Sequence, residues 1–234
     1  MHIPFLQHAL DAVFPPQCLG CKKYAQTYLC HQCFNSIPLN VDFVCLGCGV
    51  KTESQKPCPE CISRWSLDGL YVATQYSHPL LEKVIKGYKY RFIDSLLVPL
   101  AKLMGRYLVS IKESPFKDNP LLVSVPLHPR RFRWRGFNQS DLLARELSKD
   151  FGLEYMDCLT KNRSTQPQAE QKDKESRMNN IGSSFRCINS EVVKGRSILL
   201  IDDICTTGAT LNECARVLKE SGAQNVFGFT VARG

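Results

Sequence analysis

From residue 66 onward, two kinds of apolar pattern alternate along the chain. GLYVATQYS (69–77), LLVSVPL (121–127), SILLID (197–202) and NVFGFTVAR (225–233) are short runs rich in β-branched and aromatic residues, which predicts strands. LEYMDCL (153–159) is a further strand candidate. Between them, PLLEKVIKGYKY (79–90), LLVPLAKLMGRYLVSIK (96–112), QSDLLARELSKDFG (139–152) and TLNECARVLKESG (210–222) place apolar residues three and four apart, which predicts helices. Asn138 is placed to cap the third of these, and Gly152 and Gly222 to end the third and fourth. Strands alternating with helices predict an α/β domain with a mostly parallel sheet covered on both faces.

Two stretches depart from this texture. Residues 160–180, TKNRSTQPQAEQKDKESRMNN, are charged and poor in large apolar groups; they read as a loop leading into a short helix, or as a solvated linker. At the start, Phe5, Leu6, Ala9, Leu10, Val13 and Phe14 have helical spacing, but no basic residue precedes them. That reads as a packing helix rather than a secretory signal, and with no apolar run near a membrane span the expectation is a cytoplasmic protein without a transmembrane segment.

Charge changes the picture in the middle of the chain. The net charge is +8; residues 66–195 hold 21 Lys and Arg against 14 Asp and Glu, whereas residues 1–65 hold five against four. An anionic ligand, a nucleic acid or an acidic membrane surface could each use that excess. Arg130, Arg131, Arg133 and Arg135 alternate with Phe132 and Trp134, a mixture that suits phosphate contacts and base stacking on single-stranded nucleic acid, a pyrophosphate, or a solvated rim. His128, beside them, reads as a structural hydrogen-bonder.

Cysteine usage divides the chain into residues 1–65 and 66–234. Eight of the twelve cysteines fall in an internal repeat, CLGCKKYAQTYLCHQC from Cys18 and CLGCGVKTESQKPCPEC from Cys45, each with CxxC, a spacer of eight or nine residues, and CxxC. Two CxxC knuckles supply four thiolates for one tetrahedral zinc, so the count suggests two structural zincs, with disulfides or iron-sulfur binding as weaker readings. The repeat favours sequential pairing, with Cys18, Cys21, Cys30 and Cys33 on one metal and Cys45, Cys48, Cys58 and Cys61 on the other; a cross-braced arrangement would interleave them. Cys158, Cys187, Cys205 and Cys214 read as packing residues.

The stretch LLIDDICTTGAT (199–210) runs from a buried strand through two adjacent carboxylates into a hydroxyl-rich turn and a helix. Ligands of open parallel sheets sit at the carboxyl ends of the strands, and a helix start offers unpaired N–H groups to an anion. Gly208 lets the backbone approach closely, and Thr206, Thr207 and Thr210 add donors. With phosphate in the turn, Asp202 and Asp203 are suited to accept ribose hydroxyls, which points to a sugar 5-phosphate; paired aspartates at a metal site are the other reading. No GxxxxGK[ST] is present, so a P-loop has no support.

IDDICTTGAT resembles the phosphoribosyl pyrophosphate (PRPP) motif of type I phosphoribosyltransferases. Together with IKGYKY, VPLHPRRFRWRGFNQS, the RSTQPQAEQKDKESRMNN stretch and the cysteine-rich start, it resembles the ComF family of competence proteins over essentially the whole chain. The resemblance implies a zinc-binding module over residues 1–65, a double zinc ribbon or knuckle, and a type I phosphoribosyltransferase-like α/β domain over 66–234. It also implies a role in DNA uptake for natural transformation. PRPP or a related ligand would be held by Asp202, Asp203, Thr206, Thr207, Gly208, Ala209 and Thr210, by Val125, Pro126 and Leu127 at the start of a pyrophosphate loop, and by Lys89 of the Lys-Tyr motif. Lys89 has a bland alternative as a snorkelling surface residue. Arg135, Gly136, Phe137, Asn138 and Gln139 match the RGFNQ string, and Arg163, Thr165, Gln166, Arg177 and Asn180 match a flexible loop able to close over a reactive sugar cation.

Mg²⁺ would accompany PRPP, bound through its diphosphate and sugar oxygens. Single-stranded DNA and DNA-import proteins at the inner membrane are the implied partners. Neither a catalytic base nor a nucleobase pocket is visible, so turnover is left open. A metabolic phosphoribosyltransferase of nucleotide salvage or synthesis is the alternative, and a zinc-dependent binding module with a vestigial sugar-phosphate site is a third reading. The zinc module and the arginine-aromatic segment favour the first reading; the intact IDDICTTGAT counts against the third.

Overall fold

A computed structural model of the chain describes residues 15–91, 93–111, 115, 119–161 and 184–234. The predicted N-terminal helix and the flexible-loop residues Arg163, Thr165, Gln166, Arg177 and Asn180 lie outside them. The helices are α1 (His31–Asn35), α2 (Pro79–Tyr90), α3 (Leu97–Ser110), α4 (Pro129–Arg135), α5 (Gln139–Phe151), α6 (Ser190–Val193) and α7 (Ala209–Glu220). The strands are β1 (Phe43–Val44), β2 (Lys51–Thr52), β3 (Gly69–Gln75), β4 (Leu121–Ser124), β5 (Leu159–Lys161), β6 (Phe185–Cys187), β7 (Ser197–Cys205) and β8 (Asn225–Arg233).

Four strands form a wholly parallel sheet in the order β3-β8-β7-β4. Its strands are apolar on both sides because both faces are covered. On one face Tyr71, Ala73, Leu122, Leu199, Ile201, Phe229 and Val231 pack against α2, α3 and α5. On the other, Leu70, Val72, Leu121, Val123, Ile198, Leu200 and Val226 pack against α7 and the small antiparallel β5-β6 pair. The fully buried Tyr88, Tyr107 and Phe229 are the largest side chains in the first layer, each worth about 2–3 kcal/mol of apolar transfer.

The chain from 15 to 65 is joined to this domain by shared core and by backbone pairing. Leu19, Leu29 and Ile37 belong to the first layer. Asn40 N–H donates to the Ala73 carbonyl at 2.8 Å, and Leu70 N–H to the Gln55 carbonyl at 2.9 Å, so the module also covers the β3 edge.

Four local differences from the sequence expectation have physical causes. The strand predicted over 153–159 shrinks to one parallel bridge between Leu122 and Tyr155, because the chain then turns away to start β5 at Leu159. Thr160 and Lys161, read as the start of a loop, are held in β5 by pairing with Arg186 and Phe185. The strand predicted to end at Asp202 continues to Cys205, since β8 extends alongside to Arg233. The arginine-aromatic segment is helical: His128 Nδ1 accepts from Arg130 N–H at 3.1 Å, Pro129 supplies a fixed φ in the first turn, and Gly136 ends the helix at φ 80°.

A candidate phosphoribosyl site flanked by two cysteine clusters

The site forms where β7 outruns β4. Ile201 and Ile204 are three residues apart, yet both pack in the same layer, so the two-residue alternation breaks across Asp202 and Asp203. Consequently helices from that one layer reach both acids. Ser140 Oγ of α5 donates to Asp202 Oδ1 at 2.8 Å, and Lys89 Nζ of α2 pairs with Asp203 Oδ1 at 2.8 Å. Asp202 Oδ1 also accepts the Asp203 N–H at 2.8 Å.

Lys89 is thus an ion-pair partner inside the site, not a snorkelling surface residue; its side chain is 15% exposed. Burial, and then the neighbouring Asp203 charge, push the Asp202 carboxyl up to about 7, against the lowering effect of Ser140 and Lys89. An acid in that state gains from any ligand that donates hydrogen bonds to its charged form.

Thr206 and Thr207 lie exposed beyond β7, and Gly208 adopts φ 77° before α7 begins at Ala209, with Thr210 in its first turn. A shallow cleft is lined by Asp202 and by residues 204–211. The twelve-residue helix α7 aims its N-terminus at this cleft, an arrangement that favours a phosphate. Val125, Pro126 and Leu127 follow β4 directly alongside, with Val125 N–H donating to the Ile201 carbonyl at 3.0 Å. Cys205 is buried, and burial followed by the Asp202 charge pushes its thiol up to about 12, so it is chemically quiet.

The RGFNQ string braces these parts. Asn138 caps α5 by accepting from Ser140 N–H at 3.2 Å and donates to the Val125 carbonyl at 3.0 Å. Gln139 accepts from Arg135 at 2.9 Å, and its carbonyl accepts from the buried Tyr88 hydroxyl at 3.2 Å. Phe137 packs on Tyr88 with ring centroids 6.2 Å apart. Arg130, Arg131, Arg133 and Trp134 project from α4 as exposed residues, and Arg135 stacks over Tyr90 at 5.2 Å and Trp134 at 5.8 Å. Burial and then the charges of Lys161, Arg131, Arg130 and Arg133 hold the His128 pKa below its usual value, a sign of the positive potential at this rim.

Three contributors were not found from sequence. Ser140 carried no signal beyond its place after Asn138-Gln139. Lys161, whose pKa is lowered by burial and by Arg131, stood in the polar stretch read as a loop. Tyr90 stands out in the sequence only as the second residue of the Lys-Tyr motif.

The cysteine sulfurs gather into two sets in chain order, Cys18-Cys21-Cys30-Cys33 and Cys45-Cys48-Cys58-Cys61, each with all ligand atoms within 4.8 Å of one another. Zinc–sulfur bonds of about 2.3 Å in a tetrahedron require sulfur separations of about 3.8 Å. Cys21 and Cys30 Sγ are 3.9 Å apart, and Cys48 and Cys58 Sγ are 3.6 Å apart, so both sets fit that ion. The sets are matched electrostatically too. Although burial opposes it, backbone N–H groups, first those of Cys30 and Cys58 respectively, bring the Cys18 and Cys45 thiols down to about 6. The repeated CLGC has a steric reason: a methyl group on Gly20 would stand 2.6 Å from Cys33 Sγ, and one on Gly47 would stand 2.8 Å from Cys61 Sγ.

Fold and site together define a phosphoribosyltransferase-type domain carrying a double zinc ribbon. The phosphoribosyl transferase domain family matches residues 135–233, and the double zinc ribbon domain family matches residues 9–62. Among curated proteins, the chain is 32% identical over 210 residues to competence protein ComFC of Streptococcus pneumoniae, covering 88% of this chain and 87% of that protein. It is 31% identical over 189 residues to the DNA utilization protein YhgH of Escherichia coli, covering 78% and 81%. Competence protein F of Haemophilus influenzae is 25% identical over 225 residues, covering 88% and 97%. The chain belongs to the ComF family. Its two four-cysteine sites and its double zinc ribbon point to two structural zinc ions. Among the described residues no helix is long and apolar enough to cross a membrane.

Proposed function

We propose that the protein binds PRPP or a related phosphoribosyl ligand at the end of β7 and serves DNA uptake in natural transformation, handling the incoming single strand on the cytoplasmic side. The observation that carries the ligand reading is the pair of acids brought to one rim, with a helix N-terminus directly behind them. The 5-phosphate sits in the turn, held by N–H groups of residues 207–209 and the hydroxyls of Thr206, Thr207 and Thr210. Ribose hydroxyls donate to Asp202 and Asp203. The loop of Val125, Pro126 and Leu127 faces the pyrophosphate, with the positive rim neutralising its charge. Mg²⁺ brought in with the ligand, on its diphosphate and sugar oxygens, would offset the negative charge of the pyrophosphate group. Residues 1–65 form the metal module and residues 66–234 the ligand-binding domain.

The relatives' names place them in competence and DNA utilization, and α4 supplies the surface that such a role needs. Phe132, Trp134 and Tyr90 are 47%, 60% and 53% exposed beside Arg130, Arg131 and Arg133, a combination that suits stacked bases and phosphates. DNA-import proteins at the inner membrane are the proposed protein partners. Fluorescence titration of a labelled single-stranded oligonucleotide at several salt concentrations tests the surface. Replacing Arg130, Arg131 and Arg133 by Ala should flatten the salt dependence, whereas Trp134→Ala should weaken binding by about 1–3 kcal/mol with the slope unchanged. Wild-type binding by the triple variant at every salt concentration would remove α4 from the DNA role. Transformation frequency of a deletion strain complemented with each variant connects the surface to uptake.

A further inference from the structure

The second cysteine cluster lies against the sugar-phosphate turn. A methyl group on Gly208 would stand 3.1 Å from Leu46 Cδ2 and 3.1 Å from both Cη2 and Cζ3 of Trp65. Leu46 lies inside the CLGC knuckle that supplies Cys45 and Cys48. Trp65 packs on Cys45, Cys58 and Cys61, and its Nε1 would stand 2.8 Å from a methyl group on Gly47. The two residues after Trp65 are tied to α7: Asn212 Oδ1, in the first turn of that helix, accepts from Ser66 N–H at 2.7 Å and Leu67 N–H at 3.2 Å. At the other side of the turn, Arg233 Nη1 donates to the Val44 carbonyl at 3.4 Å, and Gly234 N–H to the Cys205 carbonyl at 3.0 Å. A loop whose own residues Thr206 and Thr207 are exposed therefore has its back held by one aromatic ring, which packs on the second cysteine cluster, and by one leucine, which is part of that cluster's first knuckle.

We propose that Leu46 and Trp65 are positioning residues for the turn of residues 206–210, and that the metal at Cys45, Cys48, Cys58 and Cys61 thereby sets the turn's affinity for a phosphoribosyl ligand. The proposal rests on the ligand reading above for its functional consequence, and on packing alone for its structural one. Gly208 occupies a left-handed conformation with no spare volume behind it, so the ring fixes where the N–H groups of the turn point. Remove the ring and the turn gains freedom that a phosphate must then reduce on binding. Coupling of this kind is reciprocal: whatever the metal does for the ligand, the ligand does for the metal.

The test compares wild type with Trp65→Ala, Trp65→Phe and Leu46→Ala as zinc-loaded full chains. Zinc content should stay at two ions per chain in all four. Amide hydrogen exchange of residues 206–210, measured without ligand, should speed up about tenfold in Trp65→Ala and change little in Trp65→Phe. Calorimetry with PRPP and Mg²⁺ should show about tenfold weaker binding in Trp65→Ala, and about threefold or less in Trp65→Phe. Saturating PRPP should slow chelator-driven release of one zinc per chain in wild type, and of neither in Trp65→Ala. Unchanged exchange in the turn of a folded, zinc-loaded Trp65→Ala protein overturns the proposal. If wild type itself fails to bind PRPP, the ligand reading fails while the exchange result still judges the positioning. Should Trp65→Ala not fold, Leu46→Ala supplies the same comparison, since it too removes a contact to Gly208.

Discussion

The two ribbons share a knuckle sequence, a four-cysteine geometry and a matched lowering of their first thiols, yet they brace different parts of the molecule. In each, the leucine of CLGC docks on a glycine of the larger domain. Leu19 Cδ1 lies 3.4 Å from where a methyl group on Gly87 would stand, and Leu46 Cδ2 3.1 Å from the equivalent point on Gly208. Gly87 is two residues before Lys89, so the first ribbon supports the helix that pairs with Asp203. Gly208 is in the turn itself, so the second ribbon supports the turn that leads into α7. The first ribbon adds Leu29 and Ile37 to the main core and seats Phe34 under Arg106 at 5.0 Å, whereas the second forms a small cluster with Trp65. One repeated motif therefore does two jobs, and the residues it lands on decide which.

That contrast can be broken most forcefully in the core. Ile37 is 1% exposed, and Ile37→Ala should cost about 2–5 kcal/mol of stability in denaturant titrations. The surviving folded fraction should still bind PRPP with near wild-type affinity. A large affinity loss with little loss of stability would reverse the roles assigned to the two ribbons.

Lys89→Met sharpens the comparison at the point where the helix braced by the first ribbon meets the acid pair. It leaves Asp203 unpaired beside Asp202 in a largely buried place, which should cost roughly 3 kcal/mol, part of it recovered by adding Asp203→Asn. A double-mutant cycle in thermal or denaturant unfolding reads this directly; additive effects would mean that the pair contributes nothing.

A smaller effect is expected from Asp202→Asn, in the direction of stabilisation. The Asp202 carboxyl is raised in the folded protein, mainly by burial. Between the ordinary carboxylate range and about 7 the folded state therefore holds a proton that the unfolded state has lost. The resulting destabilisation of wild type is absent below that window, grows as pH rises through it, and is constant above it. Ligand-free Asp202→Asn should match wild type near pH 4 and melt a few degrees higher at pH 8. Equal melting temperatures at both pH values would mean that Asp202 is charged in the free protein at little cost.

Much of this was legible from residues. The strand-acid-turn-helix run of 199–210 required no tertiary information, because the carboxyl end of a parallel strand and the start of a helix are local features. The two CxxC-CxxC units likewise favoured sequential pairing through the repeat, and the structure groups the sulfurs that way. Less accessible were features made by three-dimensional adjacency. The continuation of β7 past Asp202 and Asp203 to Cys205 depends on β8 running alongside to Arg233. Ser140 reaches Asp202 across 62 positions of sequence. Trp65 read as the end of a module, and only packing puts it behind Gly208. The helix at 129–135 was obscured by its four arginines, which mask any apolar period, although Pro129 and Gly136 marked both of its ends.

The central proposal is that the acids and the turn form one phosphoribosyl site. Calorimetric titration of zinc-loaded protein with PRPP and Mg²⁺, run on wild type and on the Asp202→Ala, Asp203→Ala double variant, tests that most directly. Wild type should bind one ligand per chain, and the double variant should lose roughly 3–6 kcal/mol of affinity, about 1.5–3 for each charge-assisted hydrogen bond removed, while keeping its fold and both zincs. Equal affinity in the two proteins would contradict the assignment of the ribose to Asp202 and Asp203.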